Sequence, residues 1–210
     1  MDIITAIGYS FAALFPLINP LGAIPVFCTL TASDTNECRK RIALRTSINV
    51  FFILIIFFLI GNLLLNFFGL SIGVLKIAGG LIVAHTAWEM VNSKNKLSSE
   101  EDTEVRTKQD ISFTPMALPM MSGPGAIGVV IGFSSHDMIL SYDAGICVGI
   151  FLIAISCYIS LLLSIPLFKI LGQTGIGVLN RIMGFFILAI AVLLITDGLF
   201  SLLHGKVGNF

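Results

Sequence analysis

Apolar residues run in long stretches along this chain, and polar residues gather in short segments between them. The first apolar stretch covers Ile3 to Leu30, and a polar segment from Thr31 to Arg45 follows it. A second runs from Ile42 to Phe68, centred on Phe51-Phe52-Ile53-Leu54-Ile55-Ile56-Phe57-Phe58, and Gly69 ends it. Its apolar residues lie on all sides, as expected of a helix that faces lipid over much of its surface. A third covers Ser71 to Val91, where Gly73, Gly80, Ala84 and Ala87 predict close approach to a neighbouring helix. The pattern resumes at Phe113–Ser134, Ala144–Phe168 and Thr174–Leu203, the last after a turn at Gly172-Gln173-Thr174-Gly175. At roughly 20 apolar residues per crossing, there is room for about six transmembrane helices.

Two of these stretches contain helix breakers. Pro16-Leu17-Ile18-Asn19-Pro20-Leu21-Gly22-Ala23-Ile24-Pro25 interrupts the first. A proline has no N–H and crowds the carbonyl four residues back, so the carbonyls of Ala12, Pro16 and Leu21 are expected to lose their helical donors. Pro119-Met120-Met121-Ser122-Gly123-Pro124-Gly125-Ala126-Ile127-Gly128 interrupts the fourth, at an offset of 103 residues. Pro16 falls on Pro119, Asn19 on Ser122, and Gly22-Ala23-Ile24 on Gly125-Ala126-Ile127. In lipid an unsatisfied backbone group costs several kcal/mol, so broken backbone survives only where protein or a water-filled cavity covers it. Paired breaks in matching places of two halves are the pattern of a repeat-built transporter.

The repeat extends further. Ile72-Gly73-Val74-Leu75 matches Ile176-Gly177-Val178-Leu179 at an offset of 104; Gly80 then matches Gly184, and Lys76 has a polar counterpart in Asn180. The expected fold is an all-α membrane protein of six transmembrane helices, with spans one and four broken at mid-membrane. Residues 1–92 form one three-helix repeat and 113–210 a second, joined by a polar cytoplasmic linker at 93–112 that lacks the apolar content to fold alone. An odd number of spans per copy inverts the second copy. Within the polar segment after span one, Ser33 or Asp34 is placed to cap the next helix, with Glu37 as capping-box partner.

Lys and Arg distribution orients the chain. Arg39, Lys40, Arg41, Arg45, Lys94, Lys96, Arg106, Lys108 and Lys169 follow spans one, three and five; only Lys206 and the helix-end Lys76 lie opposite. The richer side is expected to be cytoplasmic, with both termini on the other face of a bacterial inner membrane. Met1-Asp2 lacks the basic residues of a signal peptide, and the apolar run continues past the prolines without a cleavage site.

Composition agrees. Of 210 residues, 56% are hydrophobic and 11% charged, and the mean hydropathy is +1.00. The formal net charge is zero, with no basic patch for nucleic acid. Cys28, Cys38, Cys147 and Cys157 have no metal-ligand spacing and read as small hydrophobes. No Ser/His/Asp set is visible, so the sequence points away from an enzyme, and no cofactor is implied.

If both breaks share one cavity, their half-helix N-termini offer N–H groups and about half a positive charge to an anion. Gly22 and Gly125 let a ligand approach the backbone, Asn19 and Ser122 add side-chain hydrogen bonds, and the freed carbonyls suit an ammonium group. A small zwitterion has both needs. Ala23, Ala126 and the lack of fixed charge fit an α-amino acid with a small neutral side chain. His85 and Glu89 lie four apart on one helix, and Asp197 lies in span six; as ionisable groups in apolar segments they are candidates for coupling. Lys76 and Arg181 are placed to snorkel, and Trp88 to anchor at an interface.

At Asn19-Pro20-Leu21-Gly22-Ala23-Ile24-Pro25 and Ala117-Leu118-Pro119-Met120-Met121-Ser122-Gly123-Pro124-Gly125-Ala126-Ile127 the sequence resembles the MarC family. Lys76-Ile77-Ala78-Gly79-Gly80-Leu81-Ile82-Val83-Ala84 and Arg181-Ile182-Met183-Gly184 carry the likeness along essentially the whole chain. The resemblance implies a six-span inner-membrane protein and a proton-linked carrier of glycine, alanine and similar neutral amino acids. It also implies that Asn19, Pro20, Gly22, Ala23, Ser122, Gly123, Pro124 and Gly125 line or shape the substrate site. The expected function is thus secondary transport of small neutral amino acids by alternating access. An exporter or channel for another small polar solute, and a non-transporting membrane scaffold, are the alternatives. Oligomeric state, direction and coupling ion are not legible.

Overall fold

A computed structural model describes residues 2–92, 111–134 and 140–205. The expected linker at 93–112 lies outside these residues except for its last two positions. Among the described residues the fold is all-helical, with no strand. The elements are α1 (Ile3–Ile18), α2 (Ala23–Leu30), α3 (Asn36–Phe68), α4 (Ile72–Asn92), a π-type helix α5 (Ser112–Met121), α6 (Pro124–Phe133), α7 (Leu140–Leu162) and α8 (Ser164–Gly205). α3, α4, α7 and the Thr174–His204 part of α8 are each long and apolar enough to cross a membrane. α1 with α2, bent by 53°, and α5 with α6, bent by 68°, bring the number of spans to as many as six if each bent pair is one span.

Local chemistry moves several expected boundaries. α3 starts at Asn36 rather than Ile42, because the Thr35 side chain accepts the Cys38 N–H at 3.3 Å and caps the helix there, in place of Ser33 or Asp34. Arg39, one turn into α3, donates to the carbonyls of Thr31 at 2.8 Å and Ala32 at 3.0 Å, placing a cation at the C-terminus of α2. α7 begins at Leu140 rather than Ala144 and ends at Leu162 rather than Phe168. Pro166 has no N–H for the Leu162 carbonyl, so the helix stops and another restarts at Ser164 with proline in its first turn. The turn expected at 172–175 reduces to Gly172, whose φ of +63° glycine adopts without strain.

α3 also has a sidedness that its composition hides. Ala43, Ser47, Val50, Leu54, Phe58, Gly61 and Leu65 form a buried stripe, while Phe52, Leu59, Leu63 and Phe67 are exposed. Large apolar side chains on an exposed face suit lipid rather than water. The main core lies between α1, α3, α5 and α7, around Leu14, Val50, Leu54, Met116, Ile146, Ile150 and Cys157. A second, small cluster joins α4 to α8 through Val83, Ala87, Ile187 and Ala191.

Small residues set the helix pairings. A Cβ on Gly145 would lie 2.6 Å from Ala6, and Gly149 packs against Ser10, so α1 and α7 run parallel. α3 meets α6 where Gly61 faces Ile131, and Asn62 donates to the Ser134 carbonyl at 2.9 Å. Gly73 faces Gly198, Gly80 faces Ala191, and Gly184 faces Ala87, so α4 and α8 run antiparallel. The close approach expected of α4 is therefore made, with α8 as partner.

Candidate functional site

The two breaks meet. A cavity of about 480 Å³ is walled by Leu17, Ile18, Asn19, Gly22 and Ala23 at the first break, Pro119, Met120 and Gly123 to Ala126 at the second, Ile82, Val83, Thr86 and Met90 of α4, and Asn180 and Ile187 of α8. Seven of the residues singled out from sequence line it: Asn19, Gly22, Ala23, Gly123, Pro124, Gly125 and Ala126. Pro20 and Ser122 do not. Pro20 is buried, and Ser122 is wholly buried with its hydroxyl lacking a partner among the described residues.

The breaks are built differently. In the first, Asn19 ends α1 in the left-handed region at φ +46°, a conformation its short polar side chain tolerates. Its side-chain oxygen accepts the Gly22 N–H at 3.1 Å, and its carbonyl accepts the Ala23 N–H at 3.3 Å. Ile24 donates to the Leu21 carbonyl at 3.2 Å, so that carbonyl, expected to be freed, has a donor. Pro25 has no N–H. The N-terminus of α2 is thus closed by its own loop. A Cβ on Gly22 would overlap the Asn19 carboxamide, so this glycine makes room for that side chain.

In the second break, Thr114 and Leu118 take extended conformations (φ −121° and −132°) ahead of Pro115 and Pro119. The chain turns at Ser122 and Gly123, and α6 starts with Pro124 in its first turn. Ser122 donates its N–H to the Ala117 carbonyl at 2.8 Å, and Ile127 donates to Gly123 at 3.1 Å. Among the described residues the N–H groups of Gly125 and Ala126 form no hydrogen bond, and no side chain caps the helix. This N-terminus is open to the cavity. A Cβ on Gly125 would overlap Val83, so glycine also lets α6 pack against α4.

Further polar groups come from α4 and α8. The Asn180 side-chain oxygen is buried without a partner among the described residues. Thr86 donates to Ile82 at 3.1 Å and keeps acceptor capacity, while the Asn19 amide rests 3.7 Å from the Met90 sulfur. Asn180 carried a signal as the polar repeat counterpart of Lys76; Thr86 and Met90 carried none beyond helical spacing from Val83. No charged side chain lines this cavity.

The coupling candidates lie elsewhere. His85 and Glu89 are 4.0 Å apart on α4, both largely exposed and outside the cavity wall. Asp197 is 3.8 Å from Lys76 and lines a second cavity. Among the described residues no group of His, Cys, Asp and Glu could hold a metal ion.

The fold and this paired-break cavity define an integral, multi-pass membrane protein with two bent helix pairs facing one another. The chain belongs to the MarC family of integral membrane proteins, whose model matches residues 4–203. It is 36% identical over 198 residues to UPF0056 membrane protein YhcE of Escherichia coli (strain K12), covering 93% of this chain and 92% of that one. It is 34% identical over 197 residues to UPF0056 membrane protein YvbG of Bacillus subtilis (strain 168), covering 92% and 93%. It is 31% identical over 218 residues to UPF0056 inner membrane protein MarC of Escherichia coli O1:K1 / APEC, covering 97% and 98%. None of these names states a substrate or a reaction. No solved structure gives a significant match.

Proposed function

We propose that this chain is a secondary transporter of small neutral amino acids, of the glycine and alanine kind, working by alternating access. The observation that carries the reading is the shared cavity. It joins an open helix N-terminus at Gly125 and Ala126 to an unpartnered buried acceptor on Asn180, without a fixed charge. The α6 terminus suits a carboxylate. The Asn180 oxygen, with Thr86, suits an ammonium group. Ala23, Val83, Ala126 and Ile187 leave apolar room for a small side chain.

Alternating access draws support from the symmetry of the packing. A Cβ on Gly80 would meet Ala191, Leu194 and Ile195; one on Gly184 would meet Ala87, Met90 and Val91. The offset of 104 that relates the two glycines relates these two sets residue by residue. Exchanging the halves also exchanges the α1–α7 contact with the α3–α5 contact, and the α2–α8 contact with the α4–α6 contact. The antiparallel α4–α8 seam favours two inverted three-helix repeats, 1–92 and 113–210, joined by a cytoplasmic linker at 93–112. Bends of 53° and 68° deflect a chain without sending it back, which favours six crossings over re-entrant loops. The distribution of basic residues then favours both termini on the non-cytoplasmic side.

Counterflow of labelled alanine and glycine in proteoliposomes tests the reading, with folded Asn180→Leu protein alongside. Accumulation by the parent, and a weaker apparent affinity for alanine in the variant, are expected. No accumulation by the folded parent protein would overturn the amino-acid assignment.

A further inference from the structure

The second cavity, about 540 Å³, is walled by four of the helices that also wall the first, α1, α4, α6 and α8, with Tyr142 of α7. On every shared helix its residues continue those of the central cavity. On α1 they are Tyr9 to Ala13, against Leu17 onward; on α6, Gly128 to Phe133, against Gly123 to Ala126; on α8, Ile190 to Asp197, against Asn180 and Ile187. On α4, Lys76 lies one to two turns before Ile82. The two cavities therefore sit in series along one seam, the second toward the end where α1 begins. Ala12, Gly128 and Gly132 keep it wide.

Unlike the central cavity, this one carries charge. Lys76 Nζ and Asp197 Oδ2 lie 3.8 Å apart across α4 and α8, with side-chain exposures of 30% and 51%. Charge-assisted hydrogen bonds close to about 2.7–2.9 Å, so this pair is loosely engaged and each group can take a better partner. An amino-acid zwitterion presents a carboxylate and an ammonium one carbon apart. It offers an anion to Lys76 and a cation to Asp197 at once, so neither charge is left alone. Tyr9 and Tyr142 add phenolic groups to the wall. Ionisable side chains in membrane helices concentrate along substrate paths.

We propose that this cavity is an outer binding station for zwitterionic α-amino acids, in which Lys76 takes the carboxylate and Asp197 the ammonium before the ligand passes to the central site. The proposal rests on the reading of the chain as a carrier of zwitterions. The test locates each station separately. Full-length protein in nanodiscs is irradiated with photo-leucine, a diazirine-bearing neutral amino acid, with and without excess alanine, and the labelled peptides are mapped by mass spectrometry.

The expected result is alanine-suppressible labelling at both cavities. In the Lys76→Met, Asp197→Asn double variant, labelling around Tyr9, Gly128–Phe133 and Tyr142 falls at least roughly tenfold while labelling around Pro119–Ala126 persists. The charge-reversed Lys76→Asp, Asp197→Lys protein, which keeps an ion pair, retains outer labelling. Labelling confined to the central cavity would overturn this proposal and leave the central reading standing. Labelling confined to the outer cavity would overturn the central site and, with it, the passage from one station to the next, while zwitterion binding at Lys76 and Asp197 would stand. Outer labelling that survives removal of both charges would also overturn the proposal, by showing apolar partition.

Discussion

The side-chain oxygen of Asn19 accepts the Gly22 N–H at 3.1 Å, so the first break is closed by a residue that stands in the break itself. The equivalent position in the second half, Ser122, makes no such bond, and its helix end stays open. One sequence device closes its helix end in one half and leaves it open in the other.

Asn19 should therefore govern stability. Replacing it with alanine removes the acceptor for Gly22, at a cost of about 1–2 kcal/mol, and forces a Cβ residue without a local polar bond to hold φ +46°, at about 1–2 kcal/mol more. Glycine at this position restores the backbone freedom and loses only the cap. Thermal midpoints of purified protein in one detergent should fall in the order parent, Asn19→Gly, Asn19→Ala. An alanine variant that melts with the parent would sink this account of the break.

The α4–α8 seam makes a geometric prediction. A Cβ on Gly80 would lie 3.0 Å from the Ala191 carbonyl oxygen, and one on Gly184 3.1 Å from that of Ala87. In protein stripped of its native cysteines, Gly80→Cys with Ala191→Cys, and Ala87→Cys with Gly184→Cys, should each cross-link under mild oxidation. The mismatched pair Gly80→Cys with Gly184→Cys should not. Gly80→Leu and Gly184→Leu should destabilise by similar amounts, about 1–3 kcal/mol each, because overpacking is equivalent at the two ends.

Much of this was legible in the sequence because lipid imposes it. Bilayer thickness sets the length of an apolar stretch, and the cost of broken backbone makes paired proline–glycine segments conspicuous. Boundaries were less legible where their determinants are polar or hidden. Asn36–Arg41 continue α3 beyond its apolar part, and Pro166 ends α7 inside an unbroken apolar run. The site was half legible. Its break residues announce themselves, but Thr86, Met90 and Asn180 reach the cavity from helices distant in the chain. Whether a helix N–H is free depends on which side chain folds back onto it, and neighbouring residue types alone do not decide that between Asn19 and Ser122.

On the proposed carrier reading, the exposed pair His85 and Glu89 should matter little to transport. His85 and Glu89 are 4.0 Å apart, with side chains 75% and 67% exposed, and both lie outside the central cavity wall. Such pairs contribute little even when they form. In His85→Gln, Glu89→Gln protein, alanine counterflow and its dependence on a proton gradient should stay within about twofold of the parent, since the change removes less than about 0.5 kcal/mol. Loss of the gradient dependence alone would instead place proton coupling on this face of α4.

Asn180 offers the sharpest separation of binding from folding. Leucine has nearly its shape, and the buried side-chain oxygen has no partner among the described residues to leave behind. Asn180→Leu should therefore melt within a few degrees of the parent or slightly above it, because it removes an unsatisfied buried acceptor. The ammonium group of a bound amino acid would lose that acceptor, and a buried group left unpaired costs about 1–3 kcal/mol. The half-saturating alanine concentration in counterflow should rise by roughly 5- to 150-fold, the same energy expressed as a ratio. Asn180→Asp restores an acceptor and adds a charge, so it should keep alanine binding and weaken its competition by acidic amino acids. If Asn180→Leu transports alanine with unchanged saturation, the ammonium is held elsewhere in the cavity, and the Thr86 hydroxyl, which lines the same wall, becomes the next acceptor to test.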